Sequence, residues 1–514
     1  MSILKSTAIF VSFTMISRVL GFIRDILMAA VLGAGAITDC FVVAFKLPNF
    51  FRRLFAEGAF SASYVPIFSA TLEKDGREEA LVFAEEAFAC LLITLLLFVA
   101  LFEIFTPALI YTIANGFTDD EAKFSIAVIL TRYIFPFILF VSLGSLLAGI
   151  LNSLGKFAET AAVPIILNIC MISSLVFTAN IMETPAHSLA IAVSIAGFLQ
   201  LIFLYRACYK AGYRLKLRFP KLTPKVKKLL IVMSPAALGA GVIQLNLLLD
   251  MIIASHLPDA SMSYLYYADR LNQLPVGVIG VALGTVLLPL LSRNIAAGDE
   301  MQVLRNQNQA IEMGLFFTVP AAVAFIVVPA DLIHVLLERS NFTAEATKQT
   351  SSTLMAYAAG LPAYVLAKVF IPGYFARNDT KTPLKFAIVA LFINVSLNLI
   401  LMQYFAHVGL AMATAISAWI NVVLLAGGLI LRGHYKIENM LLIRLLKYLL
   451  CSIIMGGAVW FVQQQVKDLI NGNISEQILG LFILVVSGFS AYLIATFLTK
   501  TVKKEELKAL FSKR

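Results

Sequence analysis

The chain contains apolar stretches that are long enough to cross a membrane. About fourteen of them reach roughly 20 residues, the length that an α-helix needs to span the hydrocarbon core of a bilayer. Because 60% of the 514 residues are hydrophobic and only 14% are charged, a soluble protein of this length is excluded. We therefore predict an all-α membrane protein with about 14 transmembrane helices. The predicted spans are 8–32, 38–70, 82–112, 124–151, 161–181, 187–207, 229–256, 262–292, 311–337, 352–376, 386–403, 408–431, 441–465 and 477–499.

The basic residues are distributed unevenly between the two sides of the membrane. A net charge of +10 could indicate nucleic-acid binding, but the placement of the charges argues against it. With the N-terminus in the cytoplasm, and with basic residues at the span ends counted in the adjoining loops, 28 Lys and Arg fall in cytoplasmic segments and 4 in exterior ones. The segment 206–228 alone carries nine. This is the positive-inside pattern, and it predicts an even number of spans with both termini cytoplasmic. We expect the basic loops to contact anionic lipid headgroups rather than nucleic acid.

The chain repeats itself weakly at a spacing of about 221–226 residues. The segment 65–69 (VPIFS) matches 288–292 (LPLLS), and Asn168 matches Asn394. The offset covers an even number of spans, so the two halves have the same orientation and form a parallel repeat. The alternative is two unrelated bundles whose matches arise by chance.

The repeat predicts two six-helix lobes around a central cavity, with two further helices at the C-terminal end. The expected divisions are 1–210 for the N-terminal lobe, 211–228 for a basic cytoplasmic linker, 229–432 for the C-terminal lobe, and 433–514 for the last two helices and a basic tail. Rocking of one lobe against the other would give alternating access to the cavity.

Four arginines stand in otherwise apolar spans, namely Arg18, Arg24, Arg52 and Arg270. A charge at bilayer depth costs roughly 2.5–3.5 kcal/mol even on the lenient insertion scale, so we expect these side chains to face a watered cavity. The planar guanidinium matches phosphate oxygens bidentately, and several of them could hold a diphosphate. The alternative is a set of structural ion pairs or of side chains that extend to the interface.

Other charged residues lie close to these arginines in the sequence. Arg53 and Glu57 are four residues apart on the same helix face and can neutralise each other. Arg18 or Arg24 could pair with Asp25 or Asp39, whereas the adjacent Asp269 and Arg270 point to different faces. The predicted gate or cavity charges are Asp25, Asp39, Lys46, Arg53, Glu57 and Asp269, and the roles of Arg132 and Lys368 stay open.

A set of oxygen-bearing side chains occurs in the second half of the chain. Asp250 is the only acid of its span, Asn394 and Asn398 are four residues apart, and Thr414 lies in the following span. A carboxylate with amide and hydroxyl oxygens suits Na⁺, or proton coupling through Asp250. The alternative is a hydrogen-bond network that holds helices together.

Motifs for catalysis or for a resident cofactor are absent from the sequence. The five cysteines and five histidines show no metal-binding spacing, and the segment 149–156 departs from the phosphate-binding loop by one residue. We therefore predict a transporter rather than an enzyme, driven by Na⁺, by H⁺ or by the membrane potential.

Three segments resemble signature segments of the MurJ (MviN) lipid II flippase family. They are 17–25 (SRVLGFIRD), 45–60 with its FKLPN and AEGAF ends, and 267–271 (YADRL). The family belongs to the superfamily that also contains multidrug exporters and polysaccharide exporters. The predicted layout of six, six and two helices agrees with it, so the resemblance covers nearly the whole chain.

The resemblance implies that lipid II, an undecaprenyl-diphosphate-linked peptidoglycan precursor, is moved to the periplasmic leaflet of the bacterial inner membrane. Arginines matching Arg18, Arg24, Arg52 and Arg270 are the critical cavity charges of the family, and acids match Asp39 and Glu57. Some members bind Na⁺ at positions matching Asp250, Asn394, Asn398 and Thr414. Another member of the family has an acid at the position of Asn398. The neutral amide of Asn398 would therefore bind a cation more weakly than that acid.

The resemblance also implies a monomer that contacts lipid II, membrane lipids and other cell-wall synthesis proteins. Two relatives of the same fold remain as alternatives, a flippase for another lipid-linked oligosaccharide and a cation-coupled drug exporter. A membrane enzyme or a scaffold in wall synthesis is a third alternative, of a different class. A drug exporter would need a net acidic cavity, and the arginines make this one net basic.

Overall fold

A computed structural model describes residues 3–52, 60–179 and 181–501 of the chain. Every regular element in these ranges is helical, which confirms the prediction of an all-α protein. The chain divides into two compact units. The first comprises Met1–Ser263 with Arg339–Phe342, and the second comprises Tyr264–Glu338 with Thr343–Arg514. The assignment of residues to two lobes, a linker and two appended helices stays a prediction.

The first unit contains a buried cluster of stacked aromatic rings. Tyr64 is fully buried, and its ring centroid lies 5.3 Å from that of Phe60 and 5.5 Å from that of Phe83. Gly149 faces this ring, and a Cβ there would lie 2.9 Å from Tyr64 Cδ1, so only glycine lets the helices approach this closely. The described helices are α1 (Ile3–Leu32), α2 (Ala36–Phe51), α3 (Ser61–Lys74), α4 (Gly76–Ile104), α5 (Thr106–Ile113), α6 (Glu121–Ile134), α7 (Phe137–Ser153), α8 (Phe157–Ser173), α9 (Pro185–Lys210) and α10 (Pro224–Ser255).

The second unit is built from the remaining helices. Tyr374 and Leu425 lie in its core, where the Tyr374 hydroxyl donates a 2.6 Å hydrogen bond to the Leu425 carbonyl. Its described helices are α11 (Ser261–Pro275), whose first three residues belong to the first unit, α12 (Val281–Ala296), α13 (Glu300–Val327), α14 (Pro329–Leu337), α15 (Ala344–Phe375), α16 (Lys381–Leu431), α17 (Asn439–Gln465), α18 (Lys467–Ile470) and α19 (Ile474–Leu498).

Ten helical runs of the described chain are long and apolar enough to cross a membrane. This confirms a multi-pass membrane protein, while the count of fourteen stays a prediction. The run α16 has 51 residues, far more than one crossing needs, and Ala406 interrupts it with a φ of 47° and a ψ of −128°. Its two halves match two predicted spans, 386–403 and 408–431. The helices α2 and α3 lie on either side of residues 53–59, which are outside the described ranges.

The segment 211–223, which connects α9 to α10, is bound to α4. Glu85 of α4 is only 2% exposed, and its carboxylate accepts a 2.8 Å hydrogen bond from the Lys216 backbone N–H and an ion-paired bond from Arg218. The Thr223 hydroxyl donates to Glu86 at 2.8 Å. The sequence predicts that the basic loops contact lipid headgroups, but Arg218 is neutralised by a carboxylate of the protein. That carboxylate lies more than 130 residues away in the chain.

Replacing Glu85 by glutamine is expected to loosen the 211–223 segment. A glutamine amide offers one acceptor and one donor where two donors now approach, so one buried bond is lost, at a cost of about 1–3 kcal/mol. Limited tryptic digestion of the purified protein should then cleave the segment several-fold faster. The variant Glu78→Gln removes an exposed carboxylate from the first turn of the same helix and should be cleaved at the original rate. Equal cleavage of all three proteins would contradict this role of Glu85.

Candidate substrate-binding site

Arg24 is held in a fixed orientation inside the first unit. It is 7% exposed, and its Nη2 and Nε donate to Asp25 Oδ1 at 2.7 and 3.1 Å. Its Nη1 donates to Asn168 Oδ1 of α8 at 3.0 Å. Nη1 also lies 3.8 Å from Met171 Sδ, so three side chains accept hydrogen bonds from this guanidinium. The structure brings together two predicted site residues, Arg24 and Asp25, as a buried ion pair.

Asn168 connects α8 to α1 through both the N–H group and the oxygen of its side-chain amide. Its Nδ2 donates a 2.9 Å hydrogen bond to the Ser17 carbonyl, while its oxygen accepts from Arg24. Gly21 faces the amide, and a Cβ at this position would lie 3.6 Å from Asn168 Nδ2, in ordinary van der Waals contact. In the sequence, Asn168 stands out only as a position of the internal repeat. A buried amide in an apolar span is the signal that could have identified it.

Asp39 forms a second buried cluster in the first unit. Its carboxylate accepts hydrogen bonds from the backbone N–H groups of Ala260 and Ser263, both at 2.8 Å, and from the Ser263 hydroxyl at 2.6 Å. Lys123 Nζ lies 3.7 Å from Asp39 Oδ2 and 2.6 Å from Asp259 Oδ1. Asp39 is thus bound to Lys123 and to the start of α11, and not to an arginine of α1.

Lys123 is buried in the same cluster, although the sequence gives no sign of a role for it. It is 6% exposed, and its Nζ lies 4.1 Å from the centroid of the Phe117 ring. The carboxylate of Asp120 accepts from the Ala122 and Lys123 N–H groups and starts α6 at this point. Lys123 immediately precedes the predicted span 124–151, so the sequence places it in a loop and not in the membrane. Its burial depends on partners that are distant in the sequence.

The other predicted charges of the first unit have varied environments. Arg18 is half-buried in α1, and Arg52 follows the end of α2, where its Nε donates to Asn49 Oδ1 at 3.2 Å. Lys46 is exposed although its neighbours Phe45 and Leu47 are buried. Two further predicted site residues, Arg53 and Glu57, lie outside the described residues.

Arg270 and Asp269 lie in α11, in the second unit. The Arg270 Nη2 donates to the Tyr266 hydroxyl at 3.1 Å, and its guanidinium carbon lies 4.6 Å from the centroid of the same ring. Asp269 Oδ1 accepts from Gln273 Nε2 at 3.2 Å. The guanidinium of Arg270 therefore packs against the ring of Tyr266, which lies one turn earlier in the same helix.

The predicted ion-binding residues are divided between the units. Asp250 belongs to the first unit, where it accepts a 3.3 Å hydrogen bond from Asn246. In α16, Asn398 Nδ2 donates to Asn394 Oδ1 at 3.1 Å, and Thr414 donates to its own helix. Each of these three bonds joins residues of one helix, and the binding of Na⁺ or H⁺ by these residues stays a prediction. The described residues contain no group of three or more His, Cys, Asp or Glu that could hold a metal ion.

Comparison with known proteins identifies relatives along nearly the whole chain. The family model described as lipid II flippase MurJ matches residues 28–480. The probable lipid II flippase MurJ of Rhizobium tropici is 41% identical over 97% of this chain and 94% of its own length. The one of Vibrio cholerae is 36% identical over 99% of this chain and 98% of its own length.

Solved structures agree with this result. The structure of a lipid II flippase MurJ in an inward closed conformation superposes with a TM-score of 0.78 and 27% identity, over 95% of this chain and 98% of that one. An inward-facing multidrug transporter of the MATE family gives a TM-score of 0.68 at 14% identity, over 83% of this chain and 98% of that one, and shows the shared fold alone. The match across residues 28–480, together with relatives that are 36–41% identical over almost their full length, places this chain in the MurJ lipid II flippase family.

Proposed function

We propose that this chain moves lipid II from the cytoplasmic to the periplasmic leaflet of the bacterial inner membrane by alternating access. The observation that carries the proposal is the near full-length match to the family, whose named members are lipid II flippases. This match also confirms the prediction of a transporter rather than an enzyme. Arg24 also supports the proposal, because lipid II carries a diphosphate and a buried guanidinium can bind phosphate oxygens.

Arg24 is the residue for which the geometry supports a role in binding most directly. Asp25 and Asn168 fix the guanidinium in place before any substrate binds, which reduces the conformational entropy lost on binding. A diphosphate oxygen can replace the Asp25 carboxylate, since both are anionic acceptors of the same bidentate donor. The same contact with the diphosphate or its sugar is proposed for Arg18, Arg52 and Arg270.

The proposal includes fourteen membrane crossings, with both termini in the cytoplasm. The asymmetry of basic residues supports this orientation, and the break at Ala406 supports two crossings within α16. We propose that the protein works as a monomer with lipid II and membrane lipids as its partners, in contact with other cell-wall synthesis proteins. The driving force would be the membrane potential or a gradient of Na⁺ or H⁺, with Asp250 as the carboxylate that could take part.

A depletion experiment tests the proposal. Cells in which this chain is the only lipid II flippase are depleted of it, and lipid II that is accessible from the periplasmic side is measured over time. We expect accessible lipid II to fall while total lipid II rises, and a plasmid copy of the chain should restore it. Repeating the measurement with the membrane potential collapsed, or with Na⁺ replaced, separates the driving forces.

Continued exposure of lipid II after depletion would reject the proposal. If another lipid-linked oligosaccharide accumulated in the cytoplasmic leaflet instead, the substrate would be that oligosaccharide. The diphosphate chemistry of the arginines would be the same in that case, so this result would change the substrate and not the binding group.

A further inference from the structure

A groove on the first unit lies outside the candidate substrate-binding residues. It has a volume of about 500 Å³, within the roughly 300–1,000 Å³ range of small-molecule pockets. Its side chains from α9 follow helical spacing along one face, and α4 supplies the opposite wall. Aliphatic and aromatic groups dominate it, with one charge. The lining residues are Phe88, Leu201, Ile202, Tyr205, Arg206 and Tyr209.

The 211–223 segment lies against the end of this groove. The Tyr205 hydroxyl donates a 3.2 Å hydrogen bond to the Leu215 carbonyl. The guanidinium carbon of Arg214 lies 4.6 Å from the centroid of the Tyr209 ring. Arg206 precedes Tyr209 by three residues on the same helix and is its neighbour on the helix surface. Two arginines therefore flank one tyrosine where the groove meets the segment.

These two arginines differ from the other cations nearby. Arg218 is ion-paired with Glu85, and Lys225 Nζ lies 2.9 Å from Asp75 Oδ2. Within the part of the chain that the structure describes, neither Arg206 nor Arg214 forms an ion pair with a carboxylate. The groove thus has an apolar interior with uncompensated positive charge at one end.

The 211–223 segment exposes two large apolar side chains, which indicates the medium that surrounds it. Leu217 and Phe219 of the 211–223 segment are 78% and 85% exposed. Large apolar side chains beside arginines are typical of segments that lie at the membrane interface. The segment is on the cytoplasmic side in the orientation proposed above, and there anionic lipids attract basic groups.

We propose that the groove binds one acyl chain of an anionic phospholipid and that Arg206 and Arg214 bind its phosphate. The apolar groove matches the acyl chain of such a lipid, and the two guanidinium groups match its phosphate. A zwitterionic lipid would offer the same chain, but its own cation would compete for the phosphate. The site rests on the proposed orientation of the membrane and not on lipid II as the substrate.

Native mass spectrometry of the full-length protein in detergent tests the site. The probes are dioleoyl phosphatidylglycerol, dioleoyl phosphatidylcholine, and glycerol phosphate as a headgroup without chains. We expect the phosphatidylglycerol to bind at least several-fold more tightly than the other two. The double variant Arg206→Gln, Arg214→Gln should lose about tenfold in affinity for it, the equivalent of two weakened charge-assisted contacts.

The matched control is Lys227→Gln, Lys228→Gln, which removes the same charge from exposed lysines of α10. It should bind phosphatidylglycerol within twofold of the unmodified protein. Ile202→Trp keeps both arginines but fills the groove, and it should also weaken binding. Equal loss in the two double variants, or unchanged binding in Ile202→Trp, would overturn the site. Lipid II is absent from the assay, so failure here leaves the proposed function untouched.

Discussion

Replacing Arg24 by alanine is expected to abolish growth of a strain that depends on this chain as its only lipid II flippase. The change removes a guanidinium that is proposed to bind the diphosphate. It also removes the cation 2.7 Å from the Asp25 carboxylate, and breaking a buried ion pair from one side costs about 3–5 kcal/mol. Colony formation after depletion of the resident copy measures function, and an immunoblot of the membrane fraction measures the amount of protein.

The double variant Arg24→Ala, Asp25→Ala separates binding from stability. Removing both charges leaves no buried carboxylate without its cation, so the thermal midpoint of the purified protein should recover most of what the single variant loses. Growth should remain lost, because the diphosphate still lacks its guanidinium. Recovery of growth in the double variant would show that Arg24 is only the counterion of Asp25.

The second large effect is expected for Asp39→Ala. This change leaves three donors of Ala260 and Ser263 without their acceptor and takes a carboxylate away from the buried Lys123. A loss of about 3–5 kcal/mol is expected for a broken buried pair. For a unit of this size, that corresponds to a fall in the thermal midpoint on the order of 10 °C, measured on the purified protein in detergent.

Asp75→Ala is the matched control for Asp39→Ala. It also removes an aspartate that pairs with a lysine, Lys225, but both side chains of that pair are more than a third exposed. Exposed pairs contribute about 0–1 kcal/mol, so the midpoint should move by a few degrees at most. Similar midpoints for the two variants would contradict the assignment of Asp39 as a buried structural acceptor.

The sequence predicts the helical class well because the apolar stretches are long and the bilayer sets their length. It also predicts two crossings in 381–431, where the structure has one run with a break at Ala406. The binding of the 211–223 segment to α4 could not be predicted. The composition of the segment indicates an exposed basic loop, and only the fold brings Glu85 beside Lys216 and Arg218.

In the candidate site too, some features can be predicted from the sequence and others depend on contacts that only the fold brings about. Charge in an apolar span predicts that Arg24 and Asp25 have compensating partners, and the structure shows them as an ion pair. The sequence left open whether Arg18 or Arg24 pairs with Asp25, and the structure places Arg24 there. Asn168 and Lys123 were missed because their roles come from contacts 144 and 136 residues away. Periodicity carries no information about such contacts.

The amide of Asn168 has a consequence for sequence variation in this protein. Arg24 uses its oxygen and Ser17 uses its N–H, so the position needs an acceptor and a donor on a short side chain. Aspartate would supply no donor, and leucine would supply neither group. An uncharged side chain is thereby constrained by its hydrogen bonds, as is the arginine that it holds.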